Sequence, residues 1–314
     1  MSRILVSTKD MPRETWLQYR RRGIGGSDAG AIVGLNPFAT PYTVWADKTG
    51  RLPPKEQTES MRLGNDLEPY VVRRFEEATG KRARRRNVMF QHDTVDIALA
   101  DIDREIIGEN AGLECKTTSI MNLKKFKNGE FPDTYYSQCV HYLAVTGFEK
   151  WYLAVLVLNE GFYTFEIQRD EAEIAALLEA EQDFWKRYVE TDTPPPMDGM
   201  KPTTNALGAM YPGGESDIVG LTCFEAARNY MDLRQQIKAL ETEKERWEQV
   251  MKKELGDYEQ GDCGDYAVSW KSRERQTFDV KAFQAAHPEI DLGDYYKTTK
   301  ARAFSVKELR PKDE

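Results

Sequence analysis

The chain has 314 residues, of which 40% are hydrophobic and 31% are charged, and its formal net charge at pH 7 is −8. This length and composition are typical of a globular protein of about two domains and exclude a disordered chain. No apolar run reaches the roughly 18 residues of a membrane-spanning helix, so we expect no membrane association. The acidic balance excludes a surface that coats nucleic acid throughout, but it permits a local basic channel.

The cysteines Cys115, Cys139, Cys223 and Cys263 are far apart in the sequence. None forms the Cys-x-x-Cys spacing that is typical of zinc and iron–sulfur sites. We therefore expect small, buried, unpaired residues in a reducing compartment rather than a metal or disulfide framework.

Predicted helices and strands alternate closely over the first 190 residues. The predicted helices cover residues 13–22, 28–35, 60–78, 134–146 and 170–189. The predicted strands cover residues 83–91, 94–102, 112–117, 151–158 and 162–168. This order predicts an α/β domain over residues 1–190, with a mixed central sheet flanked by helices.

The remainder of the chain differs in composition. Residues 191–220 are rich in proline and glycine, which predicts a linker. Residues 221–314 are expected to form an accessory region, with a long helix over 221–255 and a hairpin over 258–272.

The long predicted helix carries apolar residues at alternating spacings of four and three. These residues are Ala226, Tyr230, Leu233, Ile237, Leu240, Trp247 and Met251, with Lys244 at the one polar position. The pattern resembles a heptad repeat. It predicts either a coiled coil with another chain or an amphipathic helix packed on its own domain.

Two predicted strands carry a cluster of charged residues. Asp103 ends one strand, while Glu114 and Lys116 are two residues apart on the next, so both side chains lie on one face of that strand. Two carboxylates beside an ammonium group favour a hard cation such as Mg²⁺. The alternative is an ordinary surface ion pair between Glu114 and Lys116.

Two helices carry further polar candidates. Glu68 lies four residues after Gly64, at the edge of an apolar stripe, where a carboxylate is costly unless it is paired or bound to metal. Gln138 and Tyr142 share one helical face because they are four residues apart. An exposed glutamate at the edge of the stripe remains the alternative for Glu68.

Upstream of these residues, a glycine turn leads into a helix start. The segment 23–28 reads Gly-Ile-Gly-Gly-Ser-Asp, and either Ser27 or Asp28 can cap the helix. Backbone amides at such a point can hold an anion, although plain capping explains the motif equally well.

Five cations occur within six residues at positions 81–86, which fits either a DNA backbone track or a solvated edge strand.

The ordered set of motifs resembles the phage recombination exonucleases of the YqaJ type, which are related to lambda exonuclease in the PD-(D/E)xK nuclease superfamily. The matching features are Arg20, segment 23–28, Gly64, Glu68, Asp103, the Glu-Cys-Lys segment 114–116, Gln138 and Tyr142. The resemblance spans roughly residues 10–190. It implies a restriction-endonuclease-like core in this domain, followed by the coiled-coil-like helix and a small α+β extension.

The resemblance also implies roles for individual residues. Asp103 and Glu114 correspond to metal ligands, the Cys115 carbonyl to a further ligand, and Glu68 to the helical carboxylate that completes the site. Lys116 corresponds to the lysine that orients or activates the attacking water, and Gln138 to the helix glutamine near the nucleophile.

The DNA-binding roles follow from the same resemblance. Arg20 and Ser27 correspond to a pair that grips a 5′-terminal phosphate, and Arg84, Arg85 and Arg86 are expected to meet internal phosphates. In one departure, Asp101 stands where a Ser-Pro-Asp variant of the family motif has serine.

The function implied is Mg²⁺-dependent 5′-to-3′ exonuclease activity on double-stranded DNA ends, with Mn²⁺ expected to substitute for Mg²⁺. The product would be single-stranded DNA for a single-strand annealing recombinase protein, a partner that the resemblance implies. We further expect a homo-oligomeric ring, such as a trimer, encoded by a phage or prophage and located in the cytoplasm of the bacterial host. Two alternatives remain: a structure-selective endonuclease of the same fold, and a scaffold that binds DNA ends or a partner protein.

Overall fold

The structure is a computed structural model that describes residues 2–54, 57–215, 217–299 and 302–307. It divides into two compact units, Met1–Pro212 and Gly213–Glu314. The strands of the first unit are β1 (Arg3–Ser7), β2 (Ala83–Arg84), β3 (Val88–Gln91), β4 (Leu99–Asp101), β5 (Arg104–Ile106), β6 (Ala111–Thr118), β7 (Lys150–Val157) and β8 (Gly161–Gln168). Its helices are α1 (Arg13–Arg21), α2 (Gly26–Ile32), α3 (Pro41–Lys48), α4 (Glu59–Thr79), α5 (Asp133–Thr146), α6 (Glu171–Phe184) and α7 (Lys201–Met210).

The central sheet of the first unit has five strands in the order β2-β5-β6-β7-β8. Strands β6 and β7 are parallel and the other neighbouring pairs are antiparallel, which confirms the predicted mixed sheet. The chain crosses from β6 to β7 through α5, as a connection between parallel strands requires. A second sheet, of order β1-β3-β4, is wholly antiparallel.

Helices cover both faces of the central sheet because its middle strands are apolar on both faces. Helix α4 packs Val71 and Phe75 against one face, where Leu113 of β6 is fully buried. Helices α5 and α6 pack on the other face around Trp151 and Leu153 of β7. The result is the three-layer α/β arrangement predicted from the order of elements.

The predicted strands around the carboxylate motif differ from the observed ones. The run 83–91 is divided into β2 and β3 at Asn87, whose φ is +48°. The run 94–102 contains only the short β4, and β5 was not predicted. Asp103 therefore lies in the tight connection between β4 and β5. Such short strands carry too few residues for alternation to reveal them.

The predicted linker over residues 191–220 is wrong at its centre. Residues 201–210 form α7, which buries Thr203 and Ala206. The hydroxyl groups of Thr203 and Thr40 lie 2.8 Å apart in a buried hydrogen bond. These long-range contacts attach the segment to the first unit, so the division between units falls after Pro212 and not at residue 190.

The second unit is built on one long helix. It comprises α8 (Phe224–Leu255), the hairpin β9 (Gln260–Cys263) and β10 (Tyr266–Ser269), and α9 (Val280–Ala286). The helix and the hairpin confirm the predicted extension. The expected burial of all four cysteines is wrong, because Cys223 and Cys263 are exposed. Within the described ranges, no helix combines the length and apolarity needed to cross a membrane.

Candidate active site

Strand β6 directs its two charged residues toward α5. Leu113 and Cys115 pack on the α4 side of the sheet, and alternation places Glu114 and Lys116 on the opposite side. Glu114 is only 3% exposed because it lies under Gln138 of α5. The predicted shared face is therefore present, and the alternative of a surface ion pair is wrong.

The buried groups form a connected hydrogen-bond network. The Lys116 ammonium donates to Glu114 Oε1 at 2.5 Å and to Gln138 Oε1 at 2.9 Å. The Gln138 amide donates to Glu114 Oε1 at 2.8 Å and to the Tyr142 hydroxyl at 2.9 Å. Gln138 is thus fixed on both sides, which confirms that it shares a helical face with Tyr142.

Asp103 joins this group through the backbone of β6, because the Cys115 amide donates to Asp103 Oδ2 at 2.8 Å. Burial, together with the negative charges of Glu114 and Glu68, raises the pKa of Asp103 well above its ordinary value. Burial and the same acidic neighbourhood also raise the pKa of the Cys115 thiol, so the thiol is not a nucleophile here.

Lys116 is the cation of the cluster. Burial disfavours its charge, but the adjacent Glu114 carboxylate and its hydrogen bond outweigh burial and raise the lysine pKa. The side chain is therefore a charged hydrogen-bond donor and not a neutral base.

The donor set fits a hard divalent cation. Glu114 Oε2 is buried and has no hydrogen-bond partner among the described residues, an arrangement that is costly unless a cation or water reaches it. Oxygen donors are the ligands that Mg²⁺ prefers, and Mg²⁺ commonly takes one or two carboxylates together with water and substrate phosphate. Glu114 and Asp103 can supply that pair, and the Cys115 carbonyl remains a predicted ligand.

Glu68 forms an ion pair with Arg104 and does not bond to the Glu114–Lys116–Gln138 network. Its carboxylate accepts a hydrogen bond from the guanidinium of Arg104, and both side chains are largely buried. Over the part of the chain that the structure describes, no group of three or more His, Cys, Asp and Glu side chains has the arrangement of a metal site. The negative charge of Glu68 raises the pKa of Asp103, so the two groups interact electrostatically. Glu68 as a metal ligand remains a prediction.

Arg20 and Ser27 are brought together as predicted. Arg20 Nη2 lies 2.5 Å from Ser27 Oγ and 3.3 Å from Asp28 Oδ1. The Lys48 ammonium, fully buried, donates to Asp28 Oδ2 at 2.6 Å. Burial alone would raise the pKa of Asp28, but Lys48 and Arg20 outweigh it and lower that pKa well below its usual range. Asp28 is thus a fixed anion that orients Arg20.

One cavity of about 200 Å³ connects this pair with the carboxylates. Arg20 and Ser27 line one side of it, and Asp103, Glu114 and Gln138 line the other. The cavity brings together a guanidinium and a hydroxyl, groups suited to a phosphate, and carboxylates suited to a hard cation, from segments about 80 residues apart in sequence.

Gly26 makes this arrangement possible through close helix packing. A Cβ atom at Gly26 would lie 2.7 Å from the ring of Tyr142, closer than side-chain carbons approach. Helix α2 therefore packs directly on α5, which places Ser27 beside Gln138 in the same cavity.

The basic cluster at 81–86 is largely neutralised within the chain. Arg84 and Arg86 lie 3.1 and 3.0 Å from the two carboxylate oxygens of Glu105. Lys81 pairs with Glu109, and Arg82 lies near Glu76. In the described part of the chain, Arg85 is exposed and forms no ion pair. Among the described residues of this cluster, Arg85 is therefore the one without an ion-pair partner, and the DNA track remains a prediction.

Sequence reasoning missed several residues of the site. The Trp16 indole donates to Asp101 Oδ2 at 2.6 Å, and both residues line the cavity. Burial raises the pKa of Asp101, partly offset by that hydrogen bond. The spacing of Trp16 and Arg20, one helical turn, could have indicated their shared face. No local signal marks Lys48, whose partner is in another helix.

Comparison with known proteins identifies the family. Residues 15–149 match the YqaJ-like viral recombinase domain. The protein YqaJ of Bacillus subtilis (strain 168) is 37% identical over 312 residues, covering 98% of each chain. The alkaline exonuclease LHK-Exo of Laribacter hongkongensis is 20% identical with a TM-score of 0.50, covering 57% of this chain and 94% of that one. LHK-Exo in complex with dAMP covers the same shares at 18% identity and a TM-score of 0.49.

These results agree with the fold and with the family that the sequence resembles. The structural match is confined to a little over half of the chain, and it shows that this part has the restriction-endonuclease-like fold. The match to the Bacillus subtilis protein extends over nearly the whole chain. The chain therefore belongs to the family of YqaJ-like viral recombinase proteins.

Proposed function

We propose that the first unit is a Mg²⁺-dependent nuclease that degrades double-stranded DNA from its ends in the 5′-to-3′ direction. The observation that carries this proposal is the cavity that Asp103 and Glu114 share with the Arg20–Ser27 pair, together with the unsatisfied oxygen of Glu114. The family and the exonuclease fold of LHK-Exo support a nuclease of the phage exonuclease type. Its product would be single-stranded DNA for recombination by an annealing protein.

The residues of β6 and α5 would organise the hydrolysis. Glu114 and Asp103 would hold Mg²⁺, which neutralises negative charge on the phosphate during in-line displacement. Lys116, as an ammonium group, would donate to the attacking water and fix its direction. Gln138 would hold Lys116 and Glu114 in register, because it bonds to both.

Arg20 and Ser27 would bind the terminal 5′-phosphate. Asp28 keeps the Arg20 guanidinium directed into the cavity, and a guanidinium binds phosphate oxygens through paired hydrogen bonds. A terminal phosphate held there would place the adjacent phosphodiester near Glu114. This arrangement would favour cleavage at chain ends over internal cleavage.

The test is digestion of a linear duplex labelled at one 5′ end, with Mg²⁺ and with EDTA. We expect Mg²⁺-dependent early release of labelled mononucleotide by the wild-type protein, faster from phosphorylated than from hydroxyl ends. Glu114→Gln should abolish release. Glu109→Gln, a carboxylate change in the turn before the same strand, should leave the rate unchanged.

Other outcomes would contradict the proposal. Internal fragments without early mononucleotide would indicate a structure-selective endonuclease. Release from the 3′ end first would reverse the polarity. Full activity of Glu114→Gln would remove the carboxylate cluster from the reaction.

A further inference from the structure

Helix α8 presents an apolar stripe that the described parts of the chain leave open. Leu233, Ile237 and Leu240 are 56%, 54% and 65% exposed, and Trp247 is 52% exposed. Phe304 lies edge-on to Tyr230 at 5.6 Å and covers part of one end, but Tyr230 remains 42% exposed. Exposed apolar side chains aligned along one helix face mark an interaction surface.

The length and spacing of the stripe are those of a coiled-coil seam. It runs from Ala226 to Met251, almost four heptads, within a helix of 32 residues. Tyr230, Ile237, Lys244 and Met251 occupy the first core position of successive heptads. Ala226, Leu233, Leu240 and Trp247 occupy the second core position. A helix of this kind gains most of its stability from packing, so a matching surface is expected.

We propose that α8 pairs with α8 of a second copy of this chain in an antiparallel coiled coil. In the proposed register, the midpoint between Lys238 and Ala239 of one copy lies opposite the same midpoint of the other. Each residue at the first core position of a heptad then meets a residue at the second core position of the other copy. The core layers are then Ile237 with Leu240, Leu233 with Lys244, Tyr230 with Trp247, and Ala226 with Met251. At each end of the seam Met251 faces the smaller Ala226. The apolar residues of the seam from Tyr230 to Trp247 are all covered.

Charges beside the seam favour this register. In an antiparallel pair, the residues that follow the second core position face each other, so Arg234 meets Glu241 of the second copy, and the symmetry makes this contact twice. Neither side chain forms an ion pair inside the chain over the described ranges, so both are available. Complementary charges at these positions set the orientation and the partner of a coiled coil.

Neighbouring registers place like charges together. Sliding one copy by a heptad in one direction sets Glu241 against Glu241, and sliding it in the other sets Arg234 against Arg234. A parallel pair in register would place Lys244 against Lys244 in the core and Glu243 against Glu248 beside it. The antiparallel register is the arrangement among these four that contains no like-charge contact.

Lys244 is the least favourable residue of the seam, and the proposed register accommodates it. Opposite Leu233 of the second copy, its long aliphatic stem can cover apolar surface while the ammonium group reaches solvent. The pairing depends only on the second unit and does not rest on the proposed nuclease activity.

The orientation is tested with spin labels on the full chain. Single cysteines would be introduced at outward positions that repeat every seven residues, by Arg228→Cys, Gln235→Cys, Thr242→Cys or Gln249→Cys. The exposed Cys223 and Cys263 would be replaced by serine in each variant. In each variant, the measured distance is that between the labels at the same position in the two copies. For an antiparallel pair, this distance should be about 10 Å longer at positions 228 and 249 than at positions 235 and 242, because the helix rises about 1.5 Å per residue.

The contacts beside the seam are tested by charge reversal at low salt. Arg234→Glu and Glu241→Arg should each weaken the pairing of α8 by about tenfold, and the double variant should restore it. Arg228→Glu changes the charge equally on the outward face and should have no effect.

Three results would overturn the proposal. Equal label separations at all four positions would indicate a parallel pair. The absence of dipolar coupling between labels would indicate that the stripe binds a different protein. A double variant no tighter than either single reversal would exclude the Arg234–Glu241 contact.

Discussion

Replacing Asp103 with asparagine would separate the proposed metal-binding role of this residue from a structural one. The side chain keeps its shape and an acceptor for the Cys115 amide, but it loses its charge. Burial and the charges of Glu114 and Glu68 hold the pKa of Asp103 above its unfolded value. The folded state therefore binds this proton more tightly, so the contribution to stability is complete at low pH and is lost as pH rises through the folded pKa.

The sign of the expected change in unfolding temperature follows from this linkage between proton binding and folding. In EDTA at neutral pH, Asp103→Asn should unfold at a temperature no lower than the wild type, because it removes repulsion with Glu114. Lowering the pH should stabilise the wild type relative to the variant. With Mg²⁺ at a hundredfold excess over its Kd, the wild type should gain about 2.7 kcal/mol. For a unit of this size, that gain corresponds to about 5–11 °C in Tm.

Thermal unfolding in EDTA and in a Mg²⁺ titration measures both effects, and the same titration would be run with Glu109→Gln as a control that keeps the wild-type shift. The variant should lose most of the Mg²⁺-dependent shift. Two results would refute the reasoning: an equal Mg²⁺ shift in Asp103→Asn, or a variant that is several degrees less stable in EDTA at neutral pH.

Four further changes test other parts of the site. Lys116→Ala should abolish nuclease activity while leaving the Mg²⁺-dependent Tm shift in place, as activity assays and thermal unfolding would show. Arg20→Ala should slow digestion of phosphorylated ends selectively, and equal slowing of hydroxyl ends would contradict the end pocket. Gly26→Ala should destabilise the fold by about 1–3 kcal/mol through contact with the Tyr142 ring, measured by denaturant unfolding. Arg85→Ala should reduce the salt dependence of duplex binding by about one slope unit, measured by titration at several salt concentrations.

The local geometry of the carboxylate strand could be predicted from sequence because it depends on one strand alone. Glu114 and Lys116 share a face by alternation, whatever the rest of the fold does. That Gln138 lies over Glu114 could not be derived in the same way, because it depends on how α5 crosses the sheet. The motif resemblance implied only that Gln138 lies near the nucleophile, and spacing supplied only the helical face.

The ion pairs of the basic cluster could not be predicted from sequence for a related reason. Arg84 pairs across the sheet with Glu105, but this pairing exists only because residues 104–106 form a strand. A strand of three residues has no readable periodicity, so its glutamate could not be assigned as a partner. Counting cations in a sequence segment therefore overstates the charge that is free to meet DNA.

The cavity joins two substructures that the chain builds independently, and this explains how a terminal phosphate and a reacting phosphodiester could be held at a fixed separation. The carboxylates stand on a central strand whose neighbours are packed on both faces. Arg20 stands on a short helix, where its guanidinium contacts Ser27 and Asp28, and Asp28 is itself held in a buried position by Lys48. Helix α2, which carries Ser27, packs directly on α5 at Gly26, and Gln138 of α5 bonds to Glu114. The spacing between Ser27 and the carboxylates is therefore set by packing, which is the rigidity that the proposed end-directed cleavage would require.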